Sequence, residues 1–163
     1  MLRRDPLRFH LSHAHTDGMS LLKDICDALA AGLAAKTFTS VTTQPIVERV
    51  NWPQYSVEEM DSPRIAVTPG GDTLERTDRT RFQHDYSVNV FIGRHTPAEA
   101  DADDMLSLAE EVVDAITAHA WGEEIEFPAT SPMTVQIEIN PDDAVNDRNV
   151  WRAVVSATYR TFR

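Results

Sequence analysis

Residues 82–92 read FQHDYSVNVFI, and this stretch decides the fold. Phe82, Tyr86, Val88, Val90 and Ile92 fall on one parity, and Gln83, Asp85, Ser87 and Asn89 on the other. A period of two is that of a strand with one dry side and one wet side. His84 shares the apolar parity, where a satisfied, half-buried histidine is expected rather than a metal ligand. A strand of this kind needs neighbours in a sheet and a layer over its dry face.

Working towards the N-terminus, DTLERTDRTR at 72–81 is polar, carries both signs, and reads as a long charged loop. Arg64 to Thr68 forms a short strand closed by Pro69, Gly70 and Gly71, which have the residue types of a turn. Ile46 to Asn51 is a further strand, ended by Pro53. Before it, Leu22, Ile25, Cys26, Leu29 and Leu33 recur at steps of three and four, which predicts a helix from an N-cap at Ser20 to about Lys36.

Towards the C-terminus the period changes again. Thr96 with Glu99 reads as a capping box and Pro97 suits the first helical position, so a helix follows, with Met105, Leu108, Ala109, Val112 and Ile116 as its apolar stripe. MTVQIEI at 133–139 sets Met133, Val135, Ile137 and Ile139 on one side of a strand. In the last strand, Trp151, Ala153, Val155, Ala157 and Tyr159 share a face opposite Arg152, Ser156, Thr158 and Arg160. The order is α-β-β-β-α-β-β. Two one-sided helices and one one-sided sheet predict an α+β two-layer sandwich: a mainly antiparallel sheet of about five strands with both helices on one face.

The chain has 163 residues, enough for one domain with a core of its own. Its single cysteine, Cys26, lies on the apolar stripe of the first helix and reads as a small core residue. No apolar run is long enough to span a bilayer, and the N-terminal arginines are followed by no apolar segment, so neither membrane insertion nor a signal peptide is expected. The formal net charge of −11 is unevenly distributed. Residues 97–147 hold fourteen acids and no Lys or Arg, whereas residues 148–163 hold four bases and no acid. Thirteen of the fifteen bases in the chain are arginine. This pattern makes a poor nucleic-acid binder and a plausible self-associating surface.

Signatures of chemistry are absent. The chain has no G-x-S-x-G, no P-loop and no G-x-G-x-x-G, and NPDDAVND at 140–147 lacks the glycine and distal glutamate of a calcium loop. No catalytic residue, cofactor or resident metal is expected. The rival reading rests on HLSHAHTD at 10–17, whose His13, His15 and Asp17 resemble the H-x-H-x-D-H motif of the metallo-β-lactamase superfamily. That resemblance would imply a small metal-dependent hydrolase. However, Gly18 replaces the last histidine, and the preceding MLRRDPLRF contains a proline where the family has a buried strand. Residues 1–18 are therefore read as a disordered N-terminal arm and residues 19–163 as the domain.

The ordered series VERVNWPQY, SPRIAVTPGG, ERTDRTRFQHDYSVNVFIG, MLSLAEEVVDAI and VVSATYRTFR resembles the tail terminator (tail completion or neck) proteins of long-tailed bacteriophages. The resemblance implies a virion protein, assembled in the bacterial cytoplasm, that forms a homohexameric ring on the tail tube protein. Such a ring ends tube growth and joins the tail to the head connector, with DNA passing through its lumen without specific binding. Another adaptor ring of the head–tail junction is the near alternative. A head-to-tail ring needs two different patches. The expected pair is the acidic helix face (Asp101, Asp104, Glu111, Asp114) against Arg152 or Arg160 of the next copy, with Arg76, Arg79 and Arg81 reaching the tube.

Overall fold

In the computed structural model, which describes residues 18–96, 99–118, 132–139 and 149–162, the alternating stretch is the central strand of a five-stranded sheet. The elements are α1 (Gly18–Ala35), β1 (Ile46–Arg49), a 3-10 turn (Glu58–Met60), β2 (Arg64–Arg76), β3 (Phe82–His95), α2 (Glu99–Ala118), β4 (Thr134–Ile139) and β5 (Val150–Phe162). The strand order is β1-β2-β3-β5-β4. All neighbours are antiparallel except β1 and β2, which run parallel. The α+β architecture, the element order and the sheet size are those expected.

One face of the sheet is dry. Val67, Val90 and Val155 form a rung across β2, β3 and β5, and Ile65, Tyr86, Val88, Ile92, Ala153, Ala157 and Tyr159 extend that face. Both helices cover it. α1 contributes Leu22, Ile25, Cys26, Leu29 and Leu33, and α2 contributes Met105, Leu108, Ala109, Val112 and Ile116, all buried in one cluster. Each of the Leu, Ile, Val and Met side chains, fully buried, adds about 1.5–3 kcal/mol of transfer free energy. Among the described residues the opposite face is covered at one end, where the segment after β1 lays Tyr55 and Met60 against Phe91 and Val150. Gly93 makes room there, since a Cβ on it would stand 2.5 Å from the Met60 Cε.

Three expectations are corrected. Pro69, Gly70 and Gly71 do not end a strand; β2 continues through them with a register shift between Pro69 and Gly71. A bulge uses the same residues as a turn: Gly71 takes a φ of 150°, and Gly70 lies so close to β3 that a Cβ would sit 2.9 Å from the Ser87 carbonyl oxygen. In consequence half of the charged loop at 72–81 is strand, and 77–81 forms the tip of a hairpin. Finally, β4 alternates as expected, but only Val135 packs on the core; Met133, just before the strand, and Ile137 and Ile139 on it stay exposed at the edge of the sheet.

Other boundaries shift slightly. α1 starts at Gly18, two residues before the expected cap, and ends one residue before Lys36. Thr96 donates its backbone N–H to the Asn149 carbonyl at 2.7 Å, and Asn149 enters β5 with a φ of 51°, which asparagine tolerates. Pro97, the histidine-rich segment 10–17 and the segment 140–147 lie outside the described residues.

Cys26 is fully buried, and burial raises its thiol pKa to about 11 against a smaller opposing effect of Arg49. A thiolate-directed reagent at pH 8 is therefore expected to label it only as fast as the fold opens. Labelling of the native protein at the rate of the urea-unfolded chain would show that α1 does not pack as described.

Candidate interaction surfaces

The hairpin tip is built by one aspartate. The Asp78 Oδ1 accepts the backbone N–H groups of Thr80 and Arg81, each at 2.7 Å, and the Thr80 hydroxyl at 3.1 Å. These bonds hold the Asp78 carboxyl below its ordinary range. The Thr77 N–H closes the tip on the Arg81 carbonyl at 3.2 Å. Arg76 folds back over the tip, donating to the carbonyls of Asp78 (2.9 Å) and Arg79 (3.0 Å), with its guanidinium 6.0 Å from the Phe82 ring centroid. Arg79 and Arg81 are exposed and form no ion pair among the described residues. The three arginines named from the sequence are thus brought together on one ordered tip.

The other named residues divide. Arg160 is held by Asp85 across the β3–β5 pair, with Nε–Oδ1 at 2.7 Å and Nη2–Oδ2 at 2.8 Å. The Arg160 fork lowers the Asp85 carboxyl pKa, and burial only partly opposes it. Its charge is matched within the chain. Arg152 is half-buried on the face away from the helices, opposite Gly93.

Glu111 is likewise engaged internally. Its carboxylate accepts the Thr39 N–H (3.0 Å), the Thr39 hydroxyl (2.6 Å) and the Ser40 N–H (2.8 Å), tying the segment after α1 to α2. Burial raises its pKa, but these hydrogen bonds outweigh it and the net shift is downward. Glu111→Ala is expected to cost about 1–2 kcal/mol in urea melts, since charged-acceptor bonds are lost and water replaces them in part. The folded pKa being the lower one, this contribution is complete above the ordinary glutamate value of 4.5 and is lost as pH falls through the folded value. The difference between wild type and Glu111→Ala should therefore shrink as the pH falls below 4.5. A constant difference from pH 7 to pH 3 would refute the staple.

On α2, at 100° per residue, the buried stripe of Met105, Leu108, Ala109, Val112 and Ile116 places Asp103, Ser107, Glu110 and Asp114 at the centre of the outward face. Asp104 is exposed on its flank, and Asp101 is half-buried on the core side of the first turn. Asp103 and Glu110 are not part of the acidic face expected from the sequence, although the spacing of the apolar stripe places them opposite it.

Of the remaining titratable groups, His84 is half-buried as expected, its Nδ1 3.4 Å from the Asp72 carboxylate and its ring stacked on Tyr86. The Tyr55 hydroxyl donates to Glu48 at 2.8 Å, and burial first, then this bond, raises its pKa. No group of three or more His, Cys, Asp or Glu placed to hold a metal occurs among the described residues, and no described helix is long and apolar enough to cross a membrane.

The described residues thus form a two-layer α+β domain that carries charged surfaces. Its fold is similar to that of a chain in the virion of a native gene transfer agent particle, with a TM-score of 0.52 and 12% identity over 86% of this chain and 96% of that chain. No protein-family model and no curated protein matches the sequence.

Proposed function

We propose that this chain is a structural virion protein that forms a ring on the end of a phage-type tail tube, stops its polymerisation and provides the joint to the head connector. One observation carries the reading: the fold spans nearly the whole of a chain found in a gene transfer agent virion. The segregation of arginines at the hairpin tip and acids along α2 supports it, because a closed head-to-tail ring needs two unlike patches on each copy. The hairpin tip and the outward face of α2 are the surfaces through which the subunit meets its own copies and the tube. The outward acids also discourage the passing DNA from sticking.

The test is genetic and visual. Deletion of the gene should give overlong, headless tails in electron micrographs, and purified protein added to growing tubes should cap them at one end. Tails of normal length that still lack heads would favour an adaptor ring elsewhere in the neck. The hydrolase reading of HLSHAHTD is tested separately by elemental analysis: stoichiometric zinc lost on replacing His13 and His15 would support it.

A further inference from the structure

We infer that the β2–β3 hairpin of one copy docks on the outward face of α2 of the next. This deepens the ring proposed above and rests on the reading that copies of this chain assemble.

The hairpin presents a mixed surface. In the register of β2 and β3, Arg76 lies opposite Phe82 and Leu74 opposite His84, so Leu74, Arg76 and Phe82 share one face. Leu74 is 56% and Phe82 39% exposed, and the Arg76 guanidinium lies over the Phe82 ring. Residues 76–81 add Arg79 and Arg81 and contain a single acid, Asp78, whose carboxylate is occupied in holding the turn. Glu75 does not offset them on this face, because it lies opposite Gln83 and so points to the other side of the sheet.

α2 presents the complementary surface. Leu106 is 38% exposed on one flank of the outward face. Asp103 and Glu110, three residues before it and four after, flank it, and Asp114 follows one further turn along. An exposed leucine bordered by an anionic row thus complements, in chemistry and sign, an apolar pair with a cationic rim. That is the usual anatomy of a specific interface.

Within one chain the two surfaces share no hydrogen bond or ion pair among the described residues. β3 runs from the tip to His95, roughly 40 Å at about 3.3 Å per residue, and α2 begins beyond that far end. The hairpin is held along its length by β5, whose Phe162 pairs with Gln83, so it cannot fold back. A contact between different patches on successive copies is heterologous, and it closes into a ring when the rotation permits.

Charge reversal on each side tests the pairing. Arg79→Glu with Arg81→Glu leaves intact the backbone bonds that form the tip, and Asp103→Lys with Glu110→Lys changes only outward positions of α2. Both variants should keep the wild-type circular dichroism and melting temperature. In sedimentation velocity at low salt, wild type should associate as concentration rises, and each variant should associate at least about tenfold more weakly. An equimolar mixture of the two variants should recover association, since every junction then pairs opposite signs, and so should a chain carrying all four changes.

Folded variants that associate as wild type does, a mixture that stays monomeric, or a wild-type chain monomeric at millimolar concentration would each overturn the inference. If mixing restores association but tubes remain uncapped, the tail-capping reading fails and the docking stands. If the single variants cap tubes normally, the docking fails and the function stands.

Discussion

Val90→Asp is expected to leave the chain unfolded at 25 °C in the absence of stabilising additives. Val90 has no exposed surface and sits between Val67 and Val155 in the central rung of the sheet, beneath both helices. A carboxyl group there finds no water, and the buried neighbours that define the rung are hydrocarbon. Burying it unpaired costs more than about 4 kcal/mol even after it takes up a proton, and the lost apolar contacts add to that. Domains of this size have a total stability of about 5–15 kcal/mol, so one substitution removes most or all of it. Far-ultraviolet circular dichroism and a thermal melt read the result directly. The same charge placed at Ser107, on the outward face of α2, should shift stability by no more than about 0.5 kcal/mol. A Val90→Asp protein that melts within a few degrees of wild type would mean that this rung is not the centre of the core.

Phe38→Ala comes next in size. Phe38 is buried in the main cluster, yet it belongs to the irregular segment joining α1 to β1. Its backbone is fixed by Gln44, whose Oε1 accepts the Phe38 N–H at 2.9 Å and whose Nε2 donates to the Phe38 carbonyl at 2.8 Å. Thr39 and Ser40 are then held by Glu111. With the backbone pinned on both sides, the site cannot collapse to fill the space left by the ring. The full cost of an aromatic truncation, about 3–5 kcal/mol, is therefore expected, or a fall of roughly 6–20 °C in Tm. Phe38→Leu should recover most of it. An equal loss in the Leu and Ala variants would indicate that ring packing is not what the residue contributes.

Much of this architecture could be read from periodicity, because burial on one side imprints the chain. The stripes of α1 and α2, the dry parity of β5 and that of β3 from Tyr86 to Ile92 are buried as their spacing required, whereas Phe82 on the same parity stays exposed on the hairpin. What could not be read depends on partners distant in sequence. Glu111 is claimed by Thr39, 72 residues away, and Arg160 by Asp85, 75 residues away, so two charges that look free in the sequence are spent inside the fold. The parallel pairing of β1 with β2 and the exposure of Ile137 and Ile139 follow from strand order, which alternation does not encode. Pro69-Gly70-Gly71 was ambiguous for a different reason: a bulge and a turn ask for the same residues.

The place of β3 between β2 and β5 sets a timetable for synthesis. Its first partner is joined to it by a five-residue tip and can pair within microseconds of leaving the ribosome. Its second begins about 55 residues later, roughly 3–11 s at ordinary translation rates of about 5–20 residues per second. Throughout that interval the nascent chain carries a strand with one bare hydrogen-bonding edge beside an incompletely roofed apolar face. Chaperone occupancy during translation should therefore peak after His95 emerges and fall once Phe162 is free to zip along the bare edge.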